Sequence, residues 1–229
     1  MLITQQHLRD QERYVEELVR WHSLQVADNY GLVRKSFSGK PALSLNLSVR
    51  GGRLAVEVVR CQALMPDGHY VEINESSYGG AQAEAQVSDG AVPVYISIDA
   101  VGKKQVGDPD PSEEVPRVPY ICHDCAVHIG KKPSVPEGQY IQIASLKVSG
   151  GEVTPAAEYY PPCMTLFSDE GLDKKVHDYK NRLDTLITLA SQAYMAISAD
   201  TTLASQKTSL QAAFKDTIGH FVHHLASSF

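Results

Sequence analysis

The hydrophobic period of this chain changes at Tyr160-Pro161-Pro162, from that of a long β-rich stretch to that of a helix, and that change governs what it can fold into. Before it, apolar and polar residues alternate: Leu43, Leu45 and Leu47 against Ser44, Asn46 and Ser48. A period of two sends alternate side chains to opposite faces of a strand. After it, Leu172, Val176, Tyr179, Leu183, Leu186, Ile187, Ala190 and Tyr194 recur at spacings of three and four, the period of one helical face. The two prolines remove backbone donors that a continuing strand would need.

The β-rich stretch carries clear punctuation. Gly51-Gly52 marks a turn, and Leu54 to Leu64 reads as a strand with β-branched Val56, Val58 and Val59. Pro66-Asp67-Gly68 is a strong turn: proline presets φ and glycine tolerates the left-handed region. Tyr70, Val71 and Ile73 resume a strand, so a hairpin is expected across that turn. Further strands are expected at 83–87, 92–98, 120–129 and 140–148, the last closed by Gly150-Gly151. Many short strands with regular turns point to a sandwich or barrel. Gly102 to Pro119 breaks the rhythm with Pro109, Pro111, Pro116, Pro119 and four acidic residues, and reads as an exposed loop.

Helices flank this body. Thr4 is a candidate N-cap, followed by good helix formers, with Leu8, Val15, Leu18 and His22 near one stripe and Tyr14 and Trp21 beside it. The helix should end near Asp28, Asn29 and Gly31. After Ser198-Ala199-Asp200, a second carboxyl-terminal helix carries Leu203, Leu210, Ala213, Phe214, Ile218, Phe221 and Leu225, with Gly219 inside it. A short connection implies an antiparallel pair. The expected architecture is therefore mainly β with α: a helix and β-sandwich over 1–165, then a helical hairpin over 166–229. Two amphipathic helices cannot cover each other's apolar stripe completely, and the sequence reaches Phe229 without a Gly or Asn stop. Further chain and other subunits are both expected to supply cover.

Little here carries chemistry. A net charge of −6 argues against a broad grip on nucleic acid or an anionic membrane. No apolar run approaches the ~18 residues of a membrane span, and no basic-then-apolar signal opens the chain, so a cytoplasmic protein with reduced thiols is expected. Cys122-His123-Asp124-Cys125, with His128 nearby, resembles half of a zinc site. A second ligand pair is absent, and strand alternation would split the two thiols between faces. His220, His223 and His224 lack the glutamate of a zinc protease and read as a polar helical face. No phosphate-binding glycine loop and no nucleophile elbow is found. No catalytic residue, metal or cofactor is expected.

Three segments carry a resemblance. The opening Leu2-Ile3-Thr4-Gln5-Gln6-His7-Leu8, with Gln11 and Tyr14, is similar to a Leu-x-Pro-Gln-His-Phe start, with Gln5 where proline is usual and Leu8 in place of phenylalanine. Met65-Pro66-Asp67-Gly68, followed by Ile73, resembles a Leu-Pro-Asp-Gly hairpin. Ile141-Gln142-Ile143-Ala144-Ser145-Leu146 and Tyr159-Tyr160-Pro161-Pro162-Cys163 resemble a Pro-Ile-Ala-Arg-Leu strand and a Tyr-Ile-Pro-Pro close. In this order the motifs resemble the amino-terminal part of the TssK family, baseplate proteins of bacterial type VI secretion systems.

That resemblance implies a β-sandwich shoulder, similar to phage receptor-binding proteins, and a helical neck within a homotrimer. It implies a structural adaptor whose shoulder docks on the TssF and TssG wedge proteins. A carboxyl-terminal head, absent from this sequence, would reach the membrane complex at the inner face of the inner membrane. Leu2, His7, Leu8 and Tyr14 are the expected partner-facing residues; the alternative is that they pack on the chain's own β body. Leu183, Leu186, Ile187, Phe214, Ile218 and Phe221 are the expected oligomer contacts, or else pack the two helices together. A phage tail or receptor-binding protein is the alternative function.

Overall fold

A computed structural model describes residues 5–26, 29–33, 40–74, 81–107 and 120–199, and positions 208–209, 211–213, 215–216 and 219–220. The chain forms two compact units, Met1–Asp173 and Lys174–Phe229. The first holds helix α1 (Gln5–Val26) and strands β1 (Gly31–Leu32), β2 (Leu43–Arg50), β3 (Arg53–Leu64), β4 (Tyr70–Ile73), β5 (Ala81–Gln86), β6 (Gly90–Val106), β7 (Tyr120–Ile129), β8 (Tyr140–Ser149) and β9 (Glu152–Pro155). The pairings between these strands are antiparallel, and Leu32 of β1 also forms an isolated parallel bridge with Cys163. In the first sheet β3 is central, with β1 and β2 along one edge and β4 and β5 along the other. The second sheet runs β7-β6-β8-β9.

The two sheets share one core. Leu54, Val56, Val58, Cys61 and Ala63 of β3 face Val94, Ile96 and Ile98 of β6 and Ile141, Ile143 and Leu146 of β8 within it. Burying each large side chain of this kind contributes about 1.5–3 kcal/mol. The inward alternation slips phase once on β3 and once on β8. On β3, Val58 and then Cys61 point inward, because Ser44 pairs with Arg60 and Leu45 with Val58, leaving Val59 as the extra residue of a bulge. On β8, Ile143 and then Leu146 point inward, with a register shift opposite Val94 and Tyr95. A bulge inserts one residue and re-aims the side chains beyond it, so both strands keep their apolar sets in the core.

The hairpin across Pro66-Asp67-Gly68 and the strands expected at 120–129 and 140–148 are present, the last reaching Ser149. The strand expected at 83–87 lies at 81–86. β1 and β9 are additional. The expected loop from Gly102 needs correction: β6 runs on to Val106, and Lys103 to Val106 pair with His123 to Tyr120. The continuing β7 satisfies that backbone, which outweighs the loop-forming composition. Residues 108–119, with the four prolines, lie outside the described residues.

The Tyr160-Pro161-Pro162 segment seals the body. Leu32 N donates to Pro162 O at 2.8 Å and Met164 N donates to Leu32 O at 2.8 Å. Gly31 has φ 117°, and a Cβ there would overlap the Pro162 carbonyl.

Helix α2 (Glu170–Ala199), whose residues from Lys174 on belong to the second unit, spans 30 residues, of which none is buried. Asp169 caps it, accepting from Leu172 N at 2.9 Å, and Glu170 and Asp173 complement the helix dipole in the first turn. The described residues between 208 and 220 are helical, and Gln211 Nε2 donates to Ser198 Oγ at 2.8 Å. No helix among the described residues is long and apolar enough to cross a membrane.

Gly31→Ala is expected to cost more than about 3 kcal/mol, since an αL-type strain of about 1–3 kcal/mol adds to a backbone clash. Gly51→Ala, at φ 56° with open space around its Cβ, should cost only about 1–2 kcal/mol. Urea unfolding of both variants checks the order.

Candidate docking surface

Helix α1 is mounted in an unusual sense: its hydrophilic face meets the body. Glu16, Arg20 and Ser23, one turn apart, are its partly covered residues. Two contacts hold them. Towards the carboxyl end, α1 crosses the Pro66-Asp67-Gly68 turn, and Arg20 Nε donates to Asp67 O at 2.7 Å. Gly68 has φ 87°, and a Cβ there would lie 2.9 Å from Leu24 Cγ and 3.0 Å from Arg20 O. Glycine is thus required twice, by the turn and by the helix passing over it. The aspartate of the same turn accepts from His69 N at 3.1 Å, while His69 Nδ1 lies 2.8 Å from its other oxygen, close but poorly aligned for a hydrogen bond.

The second contact starts at a bulge in β6. Asp99 pairs with Asp124 and Lys103 with His123, leaving Ala100, Val101 and Gly102 as extra residues. Asp99 Oδ1 accepts from Val101 N at 2.9 Å and Gly102 N at 2.8 Å. Those two backbone donors hold its carboxyl below the usual range. A Cβ on Gly102 would strike the same carboxylate. This turn delivers Lys103 to α1, where its Nζ lies 2.7 Å from Glu16 Oε1 and 3.5 Å from Glu12 Oε1. Partial burial lowers the Lys103 pKa, but the bond and charge of Glu16, with Glu12, outweigh it and raise it. A raised lysine pKa contributes stability that is complete below its ordinary value of 10.5 and lost as pH rises through the raised value. His123 joins the cluster, with Nε2 4.0 Å from Glu16 Oε1 and its ring 5.9 Å from that of His69. Partly exposed pairs of this type contribute about 0.2–1 kcal/mol each. A cleft of about 860 Å³ lies between α1 and the body, lined by charged helix residues, His69 and the bulge.

Most of the apolar side of α1 consequently faces away from the body, Leu24 excepted, which lies over Gly68. Leu8, Tyr14, Val15, Leu18, Val19, Trp21 and Leu24 are all exposed, Tyr14 at 65 % and Trp21 at 60 %. His7 is exposed on the same helix, and Leu2 lies outside the described residues. Three of the four expected partner-facing residues therefore share one helix and are exposed on it. Single exposed apolar residues are ordinary, but a contiguous set marks an interaction surface. On α2, Leu183 is half-buried, while Leu186 and Ile187 are exposed alongside Leu189, Tyr194 and Met195. Phe214, Ile218 and Phe221 lie outside the described residues.

The cysteines are structural in character. Cys61 is fully buried and its thiol is pushed up to about 12, by burial and then by Cys125. Cys125 packs against the core and is pushed up to about 11, chiefly by burial. Asp124, its neighbour, pairs instead with Lys104 at 2.8 Å. Among the described residues, no three His, Cys, Asp or Glu side chains are placed to hold a metal ion.

Known structures share this arrangement of sheets and helices. One is a cryo-electron-microscopy structure of the type VI secretion system TssK-TssF-TssG baseplate subcomplex, with a TM-score of 0.61, 14 % identity, and coverage of 94 % of this chain and 77 % of that one. A crystal structure of TssK matches with a TM-score of 0.60 and 13 % identity, covering 97 % of this chain and 56 % of that one. The chain has a TssK-like fold. A structure of the type VI secretion baseplate complex gives the same result, with a TM-score of 0.61 at 14 % identity. No family model matches the sequence, and no curated protein matches it. The TssK-like body was legible in its turns and closing motif; the inverted mounting of α1 was not, because periodicity finds an apolar face without saying which way it points.

Trp21 is the sole tryptophan and reports on this face. Its emission is expected to be that of a water-exposed indole, with iodide quenching close to that of free tryptophan. A blue-shifted, protected signal in the isolated protein would contradict the exposed orientation.

Proposed function

We propose that this chain is a structural adaptor of a type VI secretion baseplate, acting through surface complementarity and not as an enzyme. The apolar, outward-facing side of α1 on a TssK-like body carries this reading. Solved relatives of the fold stand in TssK-TssF-TssG assemblies, which supports TssF and TssG as the partners. Leu8, Tyr14 and Trp21 are large, rigid side chains of the kind that anchor interfaces. His7 joins them on the docking face, and Leu2 is assigned to the same surface.

Residues 1–165 act as the shoulder, a β-sandwich with its leading helix, and residues 166–229 as a helical-hairpin neck. The neck assembles three copies. A 30-residue helix with no buried residue and an apolar stripe through Leu183, Leu186 and Ile187 needs cover that helices of sister chains can supply. Phe214, Ile218 and Phe221 are assigned to the same trimer contact. The assembly sits in the cytoplasm at the inner face of the inner membrane, on the side from which the baseplate is linked to the membrane complex.

Two measurements test this reading. Wild-type protein should co-purify with a TssF–TssG wedge, while Leu8→Asp/Tyr14→Asp, with an unchanged unfolding transition, should lose at least about tenfold in affinity. Failure of the wild type to bind would remove the adaptor assignment. Light scattering at micromolar concentration should give three times the 25.1 kDa chain mass; a monomer would remove the trimeric neck.

A further inference from the structure

Helix α1 meets the body mainly through charge; among its large apolar residues only Leu24, over Gly68, is placed against it in the described contacts. Its covered face carries Glu12, Glu16 and Arg20, and a polar cleft runs beneath it. Lifting it would therefore expose little apolar surface beyond the part of Leu24 that rests on Gly68, and the hydrophobic effect opposes the motion only weakly. What opposes it is the cluster at Lys103, set in place by the Asp99–Gly102 bulge, and the contact of Arg20 with the Pro-Asp-Gly turn. Interactions between partly exposed charges fall as salt screens them, and elements with few buried apolar contacts open locally at low cost.

We propose that α1 is a strap, held on the β body by an electrostatic latch between Lys103 and the Glu12/Glu16 pair, and that this latch fixes the outward direction of the apolar face. Lys103 is a positioning residue, acting on the docking surface through the helix without belonging to that surface. The consequence for wedge capture rests on the adaptor reading; the latch itself does not.

Amide hydrogen exchange on the full chain tests the latch without any partner. Lys103→Glu should speed exchange over residues 12–24 by about fivefold, leaving the central strand at 54–63 unchanged. Adding Glu16→Lys to that variant, which restores an opposite-charge pair, should recover most of the protection. Raising ionic strength from about 0.02 M to about 0.5 M should reproduce the faster exchange in wild type. Should Lys103→Glu disturb the sheet, Glu12→Gln/Glu16→Gln removes the latch from the helix side and must give the same local change. Exchange over 12–24 that ignores both charge and salt overturns the proposal. Wedge capture, measured separately, should weaken in Lys103→Glu and recover in the charge swap. Loss of capture in Leu8→Asp/Tyr14→Asp alone, with the exchange results as expected, would leave the latch and the docking face as independent features.

Discussion

The contact between two sheets across Leu54, Val56 and Val58 on one side and Val94, Ile96 and Ile98 on the other underlies everything else in the first unit. β3 and β6 each have neighbours on both edges, as does β8, so they organise their sheets as well as their share of the core. The bulges on β3 and β8 show how strict that demand is. A strict two-residue period would turn Cys61, Ala63, Leu146 and Val148 to solvent, and one added residue in each strand returns them to the interior. The surface features, including the turn under α1 and the bulge that positions Lys103, hang on this frame.

Much of that frame was legible in the sequence, for a physical reason. Gly51-Gly52, Pro66-Asp67-Gly68 and Gly150-Gly151 fix backbone conformations locally, so the hairpins they close can be read without knowing the rest of the chain. What could not be read depends on distant residues. The short β1 exists because β3 and the Pro162 carbonyl lie beside it. Lys103-Lys104-Gln105-Val106 looked like loop and is strand, because Tyr120 to His123 return alongside.

The candidate surface was half legible. Spacing identified an apolar stripe on α1 and named Leu8 and Tyr14, yet it left open whether they faced the body or solvent. That choice is made by residues outside the helix: Gly68 admits it, Asp67 offers a carbonyl to Arg20, and Lys103 attracts the glutamates. The bulge at Asp99 and Gly102, which brings Lys103 into place, looked in the sequence like the start of a loop. On α2 the stripe was equally clear, and all its residues retain some exposure.

The pairing of Leu32 with Pro162 and Met164 has a consequence for how the protein is made. The two partners are separated by most of the first unit, so the contact closes only after the intervening strands are laid down. Non-local closures of this kind slow folding. On the ribosome, β2 to β5 can pair as they emerge, but β1 has its second neighbour only once residue 164 has left the exit tunnel. The β body is therefore sealed only after its intervening strands have emerged, and α1, which precedes them, has to wait for the Pro-Asp-Gly turn and Lys103 before it has anywhere to rest.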